Sequence, residues 1–354
     1  MKKMAKVAIN TATKTKWHSL NVSPKELRLD VTLTNGQCFN WKKYPLLKNE
    51  LSNLSSPQLP QYFGVLGNRV FLLKQTKDDV HYRVLNEEQL ICDYGRKYGI
   101  KMNNVKDNNT YAPSTLITKF TKESEDILYD YFQLDTNLEQ LYKEWSEKAD
   151  SSFIDISKSL YGMRILRQDP IECLFSFLCS SCNNIIRITQ MLDKLRKEYG
   201  VLLYEDNARD VKCYSFPTLQ AFDEIATEER LRELGMGYRA VFIKESAREL
   251  NQPIQMSLNY NNNSNHACNT DKDDNDVTIC EYKSGVEYLH SLRKLDRLKV
   301  KEELTFKIDK KKLKASGVDN VTRRGLAGVG PKVADCIALF SLDQVGCVPV
   351  DTHV

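Results

Sequence analysis

The stretch LAGVGPKVADCIALFSLDQVGCVPVD, residues 326–351, decides the fold of this chain. It begins with a glycine turn, Gly328-Val329-Gly330, followed by Pro331. Proline suits the first turn of a helix, because its missing N–H needs no partner there. The residues from Val333 to Leu342 are apolar almost all round, which predicts a buried helix. An extended Val348-Pro349-Val350 segment then ends the stretch.

Two side chains of this stretch carry chemistry. Lys332 lies at the helix start, where the helix dipole and poor solvation both disfavour a protonated amine. An unprotonated lysine is a nucleophile near neutral pH. Asp351 adds a carboxylate after the extended segment, and aspartate is also a preferred first residue of a following helix. The backbone N–H groups of the glycine turn form a site for an anion such as a phosphate. The stretch therefore predicts a phosphate site, an activated amine and a carboxylate.

Composition describes an intracellular protein with a mild positive charge. The chain has 354 residues, 41% of them hydrophobic, and a formal net charge of +4, which suits a nucleic-acid partner. Its 10 cysteines are dispersed and indicate reduced thiols. The Cys179–Cys182 pair lacks a second pair at metal spacing, so we predict neither a metal site nor a cofactor. No run is long and apolar enough to predict a membrane span.

The N-terminal part has the pattern of antiparallel strands. Leucine and valine alternate with polar residues from Leu27 to Leu33, which predicts a half-buried strand. Asn35-Gly36 is a turn signal, and residues 37–41 begin the next predicted strand. Residues 70–75 and 80–85 are typical of a hairpin. The polar segments 44–60 and 86–114 are predicted to be loops.

The period becomes helical after residue 116. Asp169-Pro170-Ile171-Glu172 has the order of an N-cap, an N1 proline and a capping-box glutamate. The apolar helix that follows stops at the polar patch Ser180–Asn184, and a second helix then begins. Short polar side chains suit contact with exposed bases and phosphate oxygens. Capping of the second helix by Asn183 is the alternative interpretation.

A second candidate contact lies at Tyr238-Arg239, after the turn Gly235-Met236-Gly237. Tyrosine and arginine offer a stacking ring and a charged fork. The alternative is an aromatic packed on a helix end beside a solvated arginine. Helical order is predicted to resume at Val286–Leu304, and the basic run 307–314 either follows phosphates or is a solvated insertion.

The predicted organisation consists of a disordered basic arm, a β-rich domain, a helical domain, a disordered Asn/Asp-rich insertion and a region carrying Lys332 and Asp351. These parts comprise residues 1–24, 25–115, 116–250, 251–285 and 286–354 respectively.

These motifs resemble the helix-hairpin-helix DNA glycosylases with the Gly/Pro-Asp signature. GVGPKVADC with VPVDTHV is similar in particular to the eukaryotic 8-oxoguanine DNA glycosylases, as are LRLDVTLTNGQCFNW and the Ser180–Asn184 run, where Cys182 replaces an asparagine. The resemblance implies an α+β fold, with an N-terminal antiparallel β domain before an all-α helix-hairpin-helix core. In that family a helical subdomain follows the aspartate, so the chain is expected to be incomplete at its C-terminus.

The resemblance also implies a bifunctional base-excision-repair enzyme. Lys332 is expected to attack the sugar C1′, giving a Schiff base and then β-elimination, while Asp351 stabilises the positive charge that develops on the sugar. The residues expected to contact DNA are Asn183, Asn184, Arg187, Tyr238, Arg239, Gly328, Val329, Gly330 and His353.

Base choice is expected to depend on a backbone carbonyl. 8-Oxoguanine carries a proton on N7 that guanine lacks, and the resemblance assigns the acceptor to Gly36. An unsatisfied acceptor would penalise guanine by about 1–3 kcal/mol. Cys336 and Phe340 follow Lys332 by one and two helix turns and are expected to line the pocket. Spacing alone equally allows both to be core residues.

Two other functions remain open from the sequence. The first is a helix-hairpin-helix glycosylase for another lesion, and the second is a truncated, non-catalytic DNA-binding relic. For the favoured function, the expected partner is damaged double-stranded DNA, and the chain is expected to be a monomer without membrane contact. The nucleus is the expected location, with the mitochondrion as a second one.

Overall fold

The computed structural model of the chain describes residues 16–47, 59–98, 114–252, 254–259, 277–305, 307–308 and 323–351. His353, most of the predicted basic run and residues 260–276 of the predicted insertion lie outside these ranges. Within the described ranges, no helix has both the length and the apolar character that crossing a membrane requires.

A five-stranded antiparallel sheet forms the N-terminal part, in the order β1-β5-β4-β3-β2. Its strands are β1 His18–Ser19, β2 Lys42–Lys43, β3 Gln61–Leu66, β4 Arg69–Gln75 and β5 Val80–Val84. The predicted hairpin is confirmed, because β4 pairs with β5 from Phe71↔Val84 to Gln75↔Val80. The sheet begins earlier than predicted, since β1 and the buried Leu20 lie within the segment assigned to a disordered arm.

The strand predicted over Leu27–Leu33 is wrong, because Leu29–Thr32 forms a short helix, α1. Leu29 and Leu33 are buried, and their spacing of four fits a helical turn as well as an alternating strand, but the buried Thr32 beside Leu33 fits only the helix. Tertiary contacts decide between the two, since the Thr32 hydroxyl donates to the Gly162 carbonyl at 3.2 Å. The predicted strand over 37–41 is displaced as well, because β2 begins only at Lys42.

Part of a predicted loop is also helical. Residues Glu87–Lys97 form α2, with Glu87 and Glu88 in the first turn and Arg96 and Lys97 in the last. Acidic residues at the start and basic residues at the end both favour a helix through its dipole. That charge order was the signal for α2 in a segment otherwise polar and irregular.

Helices make up most of the remaining described chain. They are α3 Ser114–Tyr131, α4 Leu138–Lys148, α5 Ser151–Leu160, α6 Pro170–Leu178, α7 Ile185–Tyr199, α8 Glu228–Glu233, α9 Arg239–Leu250, α10 Gly285–Ser291, α11 Arg297–Leu304 and α12 Pro331–Ser341. A π-helical turn at Ala221–Ile225 and a 3₁₀ turn at Leu292–Lys294 accompany them. Three antiparallel pairs also occur: β6 Leu202–Asp206 with β7 Val211–Tyr214, β8 Ile254–Asn259 with β9 Val277–Tyr282, and β10 Lys307–Ile308 with β11 Arg323–Arg324.

Two of these elements depart from the predicted boundaries. The helix predicted over 286–304 is divided, because the side chain of Asp296 accepts from the first-turn amides of Leu298 and Lys299 and starts α11 anew. The segment predicted to be a disordered insertion includes the paired strands β8 and β9.

Two large apolar cores hold the fold together. Helix α3 packs with the N-terminal sheet, since Leu116, Phe120 and Leu128 share a core with Phe71 and Tyr82. The predicted domain boundary at residue 116 therefore does not follow the packing. The larger core is helical and includes the buried faces of α6, α7, α9 and α12.

Helix α12 has the buried character that the sequence predicts, and α6 packs directly against it. A hairpin joins α11 to α12, and it closes where the Leu326 amide donates to the Leu304 carbonyl at 3.1 Å. The pair β10 and β11 lies between these two helices, and Thr305 and Leu326 form a bridge beside it.

Candidate active site

The start of α12 has no side-chain cap. Gly330 is its N-cap and Pro331 its first residue, as the sequence predicts. The amides of a first helical turn have no intrahelical acceptor, so this end of α12 presents donors to a ligand. Gly328 lies in the left-handed region with φ +78°, and a Cβ there would come within 2.5 Å of the Phe242 ring. Glycine is therefore required at 328 by both conformation and space.

Lys332 and Asp351 meet at this helix start. The Lys332 Nζ lies 3.6 Å from Asp351 Oδ2, with side chains 31% and 51% exposed. The amine also lies 5.7 Å from the centroid of the Phe177 ring, on α6. The amine and the carboxylate that the sequence singled out thus lie side by side, and both are partly exposed to solvent.

A fixed loop returns the chain from the end of α12 to its start. The Gln344 side chain donates to the Leu295 carbonyl at 3.1 Å, and Arg297 donates to the Gly346 carbonyl at 2.7 Å. Leu295 and Arg297, the partners of the loop in these two bonds, lie at the start of α11. An 11-residue helix is about 16 Å long, and the residues after Leu342 can span that distance when extended. The loop therefore positions Asp351 beside Lys332.

The two residues predicted to line a base pocket lie deeper along α12. Cys336 is buried, and burial raises the pKa of its thiol to about 11, although the nearby charge of Lys332 opposes this. Phe340 is half-buried and stacks on Phe177 with ring centroids 5.5 Å apart. Both residues thus contribute to packing in this structure, and their contact with a base stays a prediction.

The turn between α6 and α7 holds the first group of predicted DNA contacts. The Asn184 side chain caps α7 by accepting from the Arg187 amide at 3.0 Å. Asn183, which the sequence offered as the cap, instead donates to the Cys179 carbonyl at 3.1 Å. Cys182 is exposed with φ +48°, a conformation that asparagine adopts more readily. Arg187 is exposed.

The second group, Tyr238 and Arg239, lies directly beside this turn. Tyr238 is 48% exposed, and its hydroxyl donates to the Ser181 carbonyl at 3.2 Å. Arg239 is buried and donates to the same carbonyl, while its guanidinium stacks on the Tyr238 ring. The structure therefore places Tyr238 at the surface as expected. Arg239, by contrast, supports the turn from inside rather than pointing outward.

Apolar contacts join these groups to the hairpin and to the Gly36 turn. Phe242 touches the position of a Cβ on Gly328 and packs edge-on against Tyr238 at 5.9 Å. The Ile185 Cδ1 lies 3.0 Å from the position that a Cβ on Gly36 would take. Val329 is buried as a whole residue, and its contact with DNA stays a prediction. The described site residues therefore converge from four distant parts of the chain.

The predicted capping box before α6 is only half formed. The Asp169 side chain accepts from the Glu172 amide at 2.9 Å, as predicted. Glu172 does not return to the Asp169 amide but pairs with the buried Arg196 of α7 at 2.6 Å. Burial raises the pKa of Glu172, and Arg196 opposes that change. This pair fixes α6 against α7 and so sets the position of the turn between them.

Three residues near the site were not identified from the sequence. Phe177 lies under the Lys332 amine, Ile185 lies against Gly36, and Gln37 is a buried glutamine next to that glycine. The apolar pattern of α6 marked Phe177 only as core. Nothing in the sequence marks a glutamine as buried, because its partners come from other segments.

Known proteins are similar to this chain in sequence and in fold. The N-terminal domain model of 8-oxoguanine DNA glycosylase matches residues 19–174. The N-glycosylase/DNA lyase OGG1 of Arabidopsis thaliana is 30% identical over 339 residues, covering 96% of this chain and 67% of the relative. The N-glycosylase/DNA lyase of Saccharomyces cerevisiae is 31% identical over 340 residues, covering 96% and 69%.

A solved structure supports the fold independently. The 8-oxoguanine glycosylase/lyase of Clostridium acetobutylicum in its apo form superposes with a TM-score of 0.57 at 23% identity, covering 94% of this chain and 80% of that one. The predicted α+β architecture is thereby confirmed. From the extent of its match to the plant and yeast relatives, the chain belongs to the family of 8-oxoguanine N-glycosylase/DNA lyases.

Proposed function

We propose that this chain removes 8-oxoguanine and related oxidised purines from duplex DNA and then cleaves the strand as a lyase. The observation that carries this proposal is the Lys332–Asp351 pair, 3.6 Å apart at the uncapped start of α12. The relatives are named N-glycosylase/DNA lyase, which describes the same two activities. A solved complex of the Clostridium enzyme contains duplex DNA with cytosine opposite 8-oxoguanine.

The first step exchanges the base for the enzyme's amine. A glycosylase must rotate the nucleotide out of the duplex, which costs a few kcal/mol of unstacking. The lone pair of Lys332 Nζ then forms a bond to C1′ as the C1′–N9 bond breaks. The bonding electrons leave with the base, which takes up a proton. Asp351 stabilises the positive charge on the sugar, because a fixed carboxylate needs no reorganisation during the reaction.

The second step cleaves the strand through the covalent intermediate. The sugar ring opens to a Schiff base between Lys332 Nζ and C1′. A proton is lost from C2′, and the bond between C3′ and the phosphate oxygen breaks. Hydrolysis of the Schiff base then restores the amine. A lysine nucleophile supports this lyase step, which a glycosylase that activates water with an aspartate alone does not perform.

DNA binding is assigned to the surface around the amine. The first-turn amides of α12 suit a backbone phosphate, since nothing in the helix accepts from them. The exposed Tyr238 ring and the exposed Arg187 flank the α6–α7 turn. We propose that Tyr238 wedges into the duplex, with Asn183 and Arg187 filling the gap that an extruded base leaves. We further propose that the chain acts as a monomer in the nucleus, with the mitochondrion as a second location.

Borohydride trapping tests the proposed activity. Borohydride reduces the Schiff base to a stable amine, so the wild-type chain should form a covalent adduct with an 8-oxoguanine·cytosine duplex. Lys332→Gln should abolish both the adduct and strand nicking while duplex binding persists. Lys301→Gln is the matched control, because it removes another lysine–aspartate pair, between Lys301 of α11 and Asp335 of α12 at 2.9 Å.

The alternatives have distinct outcomes. An adduct with an oxidised-pyrimidine duplex but none with 8-oxoguanine would assign another lesion. Duplex binding without any adduct would leave a non-catalytic DNA-binding protein. Nicking by Lys332→Gln at the wild-type rate would refute Lys332 as the nucleophile.

A further inference from the structure

A buried glutamine follows the glycine turn that is expected to read the base. Gln37 is only 4% exposed. Its side-chain amide donates to the Thr32 carbonyl at 3.0 Å and to the Arg164 carbonyl at 2.8 Å. Its side-chain oxygen accepts from the Leu166 amide at 3.0 Å. A buried glutamine with both donors and its acceptor engaged fixes the backbone that carries it.

The same residue is joined to α12 through a second glutamine. The Gln37 carbonyl accepts from the Gln168 side chain at 2.7 Å. The backbone N–H of Gln168 donates to the Phe340 carbonyl at 2.8 Å, and Phe340 lies on α12, the helix that carries Lys332 near its start. Two hydrogen bonds in series, both made by Gln168, therefore connect the Gly36 turn to α12.

The Gly36 turn needs such support because it lies outside regular structure. Residues 33 to 41 fall between α1 and β2 and include no strand. Gly36 itself has φ +87°, and a Cβ built on it would meet the side chain of the exposed Ile185. The side chain of Asn35 adds one local bond by accepting from the Gln37 amide at 3.2 Å. Of the two residues that flank Gly36, Asn35 is exposed, and Gln37 provides the long-range hydrogen bonds.

We propose that Gln37 is a positioning residue for base discrimination. It sets the distance between the Gly36 carbonyl and the amine at the start of α12, so that both reach one extruded nucleotide. The proposal rests on the proposed function, in which Gly36 contacts the damaged base and Lys332 attacks the sugar. Gln37 touches neither base nor sugar in this account.

Two substrates separate this role from general stability. Removal of 8-oxoguanine needs both the Gly36 turn and the amine, whereas a preformed abasic site has no base and needs only the amine. Gln37→Met keeps the length of the side chain but loses its hydrogen bonds. It should slow single-turnover excision of 8-oxoguanine by at least about 10-fold, since small displacements at a reacting centre have such effects. Cleavage of the abasic duplex should stay within about 2-fold of the wild type.

Two further variants keep the test sharp. Gln168→Met breaks the same path one bond further on and should shift the ratio of the two rates in the same direction. Asn86→Leu is the matched control, because Asn86 is another buried amide that bonds the backbone, at Val70 and Asn68. Asn86 lies beside the N-terminal sheet, at the start of α2, so this variant should lower the melting temperature without moving the ratio.

The outcomes distinguish failure of this inference from failure of the proposed function. If the wild type processes neither substrate, the proposed function fails. If the wild type is active and Gln37→Met lowers both rates equally, Gln37 has only a structural role and the inference is overturned. Should Gln37→Met not fold, the ratio measured for Gln168→Met decides.

Discussion

Two helix starts near the site differ in how their amides are used. At α7 the Asn184 side chain accepts from the Arg187 amide at 3.0 Å, so the helix provides part of its own capping. At α12 the N-cap is Gly330, which has no side chain to offer, and Pro331 removes one donor. A glycine N-cap is less stable than an asparagine N-cap by only roughly a few tenths of a kcal/mol, and it leaves the first-turn amides for a ligand. The first-turn amides of α12 are therefore open to a ligand, whereas a side chain of the protein caps α7.

The charged side chains at the starts of α12 and α7 also differ in whether a carboxylate pairs with them. Lys332 at the start of α12 has a carboxylate brought to 3.6 Å by the returning chain. Arg187, in the first turn of α7, forms no salt bridge with the carboxylates that the structure describes. A paired lysine and aspartate provide a nucleophile and a charge stabiliser, whereas an exposed arginine provides a phosphate contact.

Removal of the carboxylate should have the largest effect on chemistry apart from loss of the lysine itself. Asp351→Asn is expected to slow excision of 8-oxoguanine on the order of 100-fold, because the charge that forms on the sugar loses its stabilising group. Single-turnover kinetics measure this. Asp335→Asn is the control, because it removes a carboxylate of α12 that pairs with Lys301 rather than with Lys332. Equal rates for both variants would contradict the assignment of Asp351.

The two hairpin glycines should differ in what alanine costs. Gly328→Ala meets both a positive φ and the Phe242 ring, so it should lower the free energy of unfolding by about 3 kcal/mol. Gly330→Ala has open space and an ordinary φ of −84°, so its cost should stay below about 1 kcal/mol. Denaturant unfolding distinguishes them. Similar losses for the two variants would show that the hairpin is not held as described.

Two substitutions of Asn184 distinguish its capping role from a DNA contact. Their effects on stability and on duplex binding should be the smallest of those predicted here. Asn184→Ala should cost about 1 kcal/mol of stability, because it removes the cap of α7. Asn184→Asp retains a cap and should leave stability unchanged, but its negative charge should weaken duplex binding more than alanine does. If alanine weakens binding as much as aspartate, Asn184 contacts the DNA directly, in addition to capping α7.

The sequence predicted most of the active-site segment because its signals are local. The Pro331 start, the buried face of α12 and the proximity of a carboxylate all follow from one short stretch, and the structure agrees. The β4–β5 hairpin was equally local. By contrast, the period of two over Leu27–Leu33 was ambiguous, and contacts with Gly162 made it a helix.

Partners from distant segments explain what the sequence left out. Glu172 has the spacing of a capping-box residue, yet a buried arginine on α7 takes it. Arg239 has the composition of a surface contact, yet the Ser181 carbonyl holds it inside. Gln37 gave no sequence signal as a buried residue, because the four residues that its side chain and carbonyl bond lie outside its own turn. Residue type and spacing identify candidate chemistry, while the buried polar contacts that position it depend on the whole fold.

Mass spectrometry of the borohydride-trapped adduct tests the central claim most directly. The wild-type chain is reacted with an 8-oxoguanine·cytosine duplex, reduced and digested, and the peptide that carries the sugar remnant is sequenced. The account predicts a single modified residue, Lys332, within the peptide that begins α12. Modification of any other lysine, with Lys332 recovered unmodified, would contradict it.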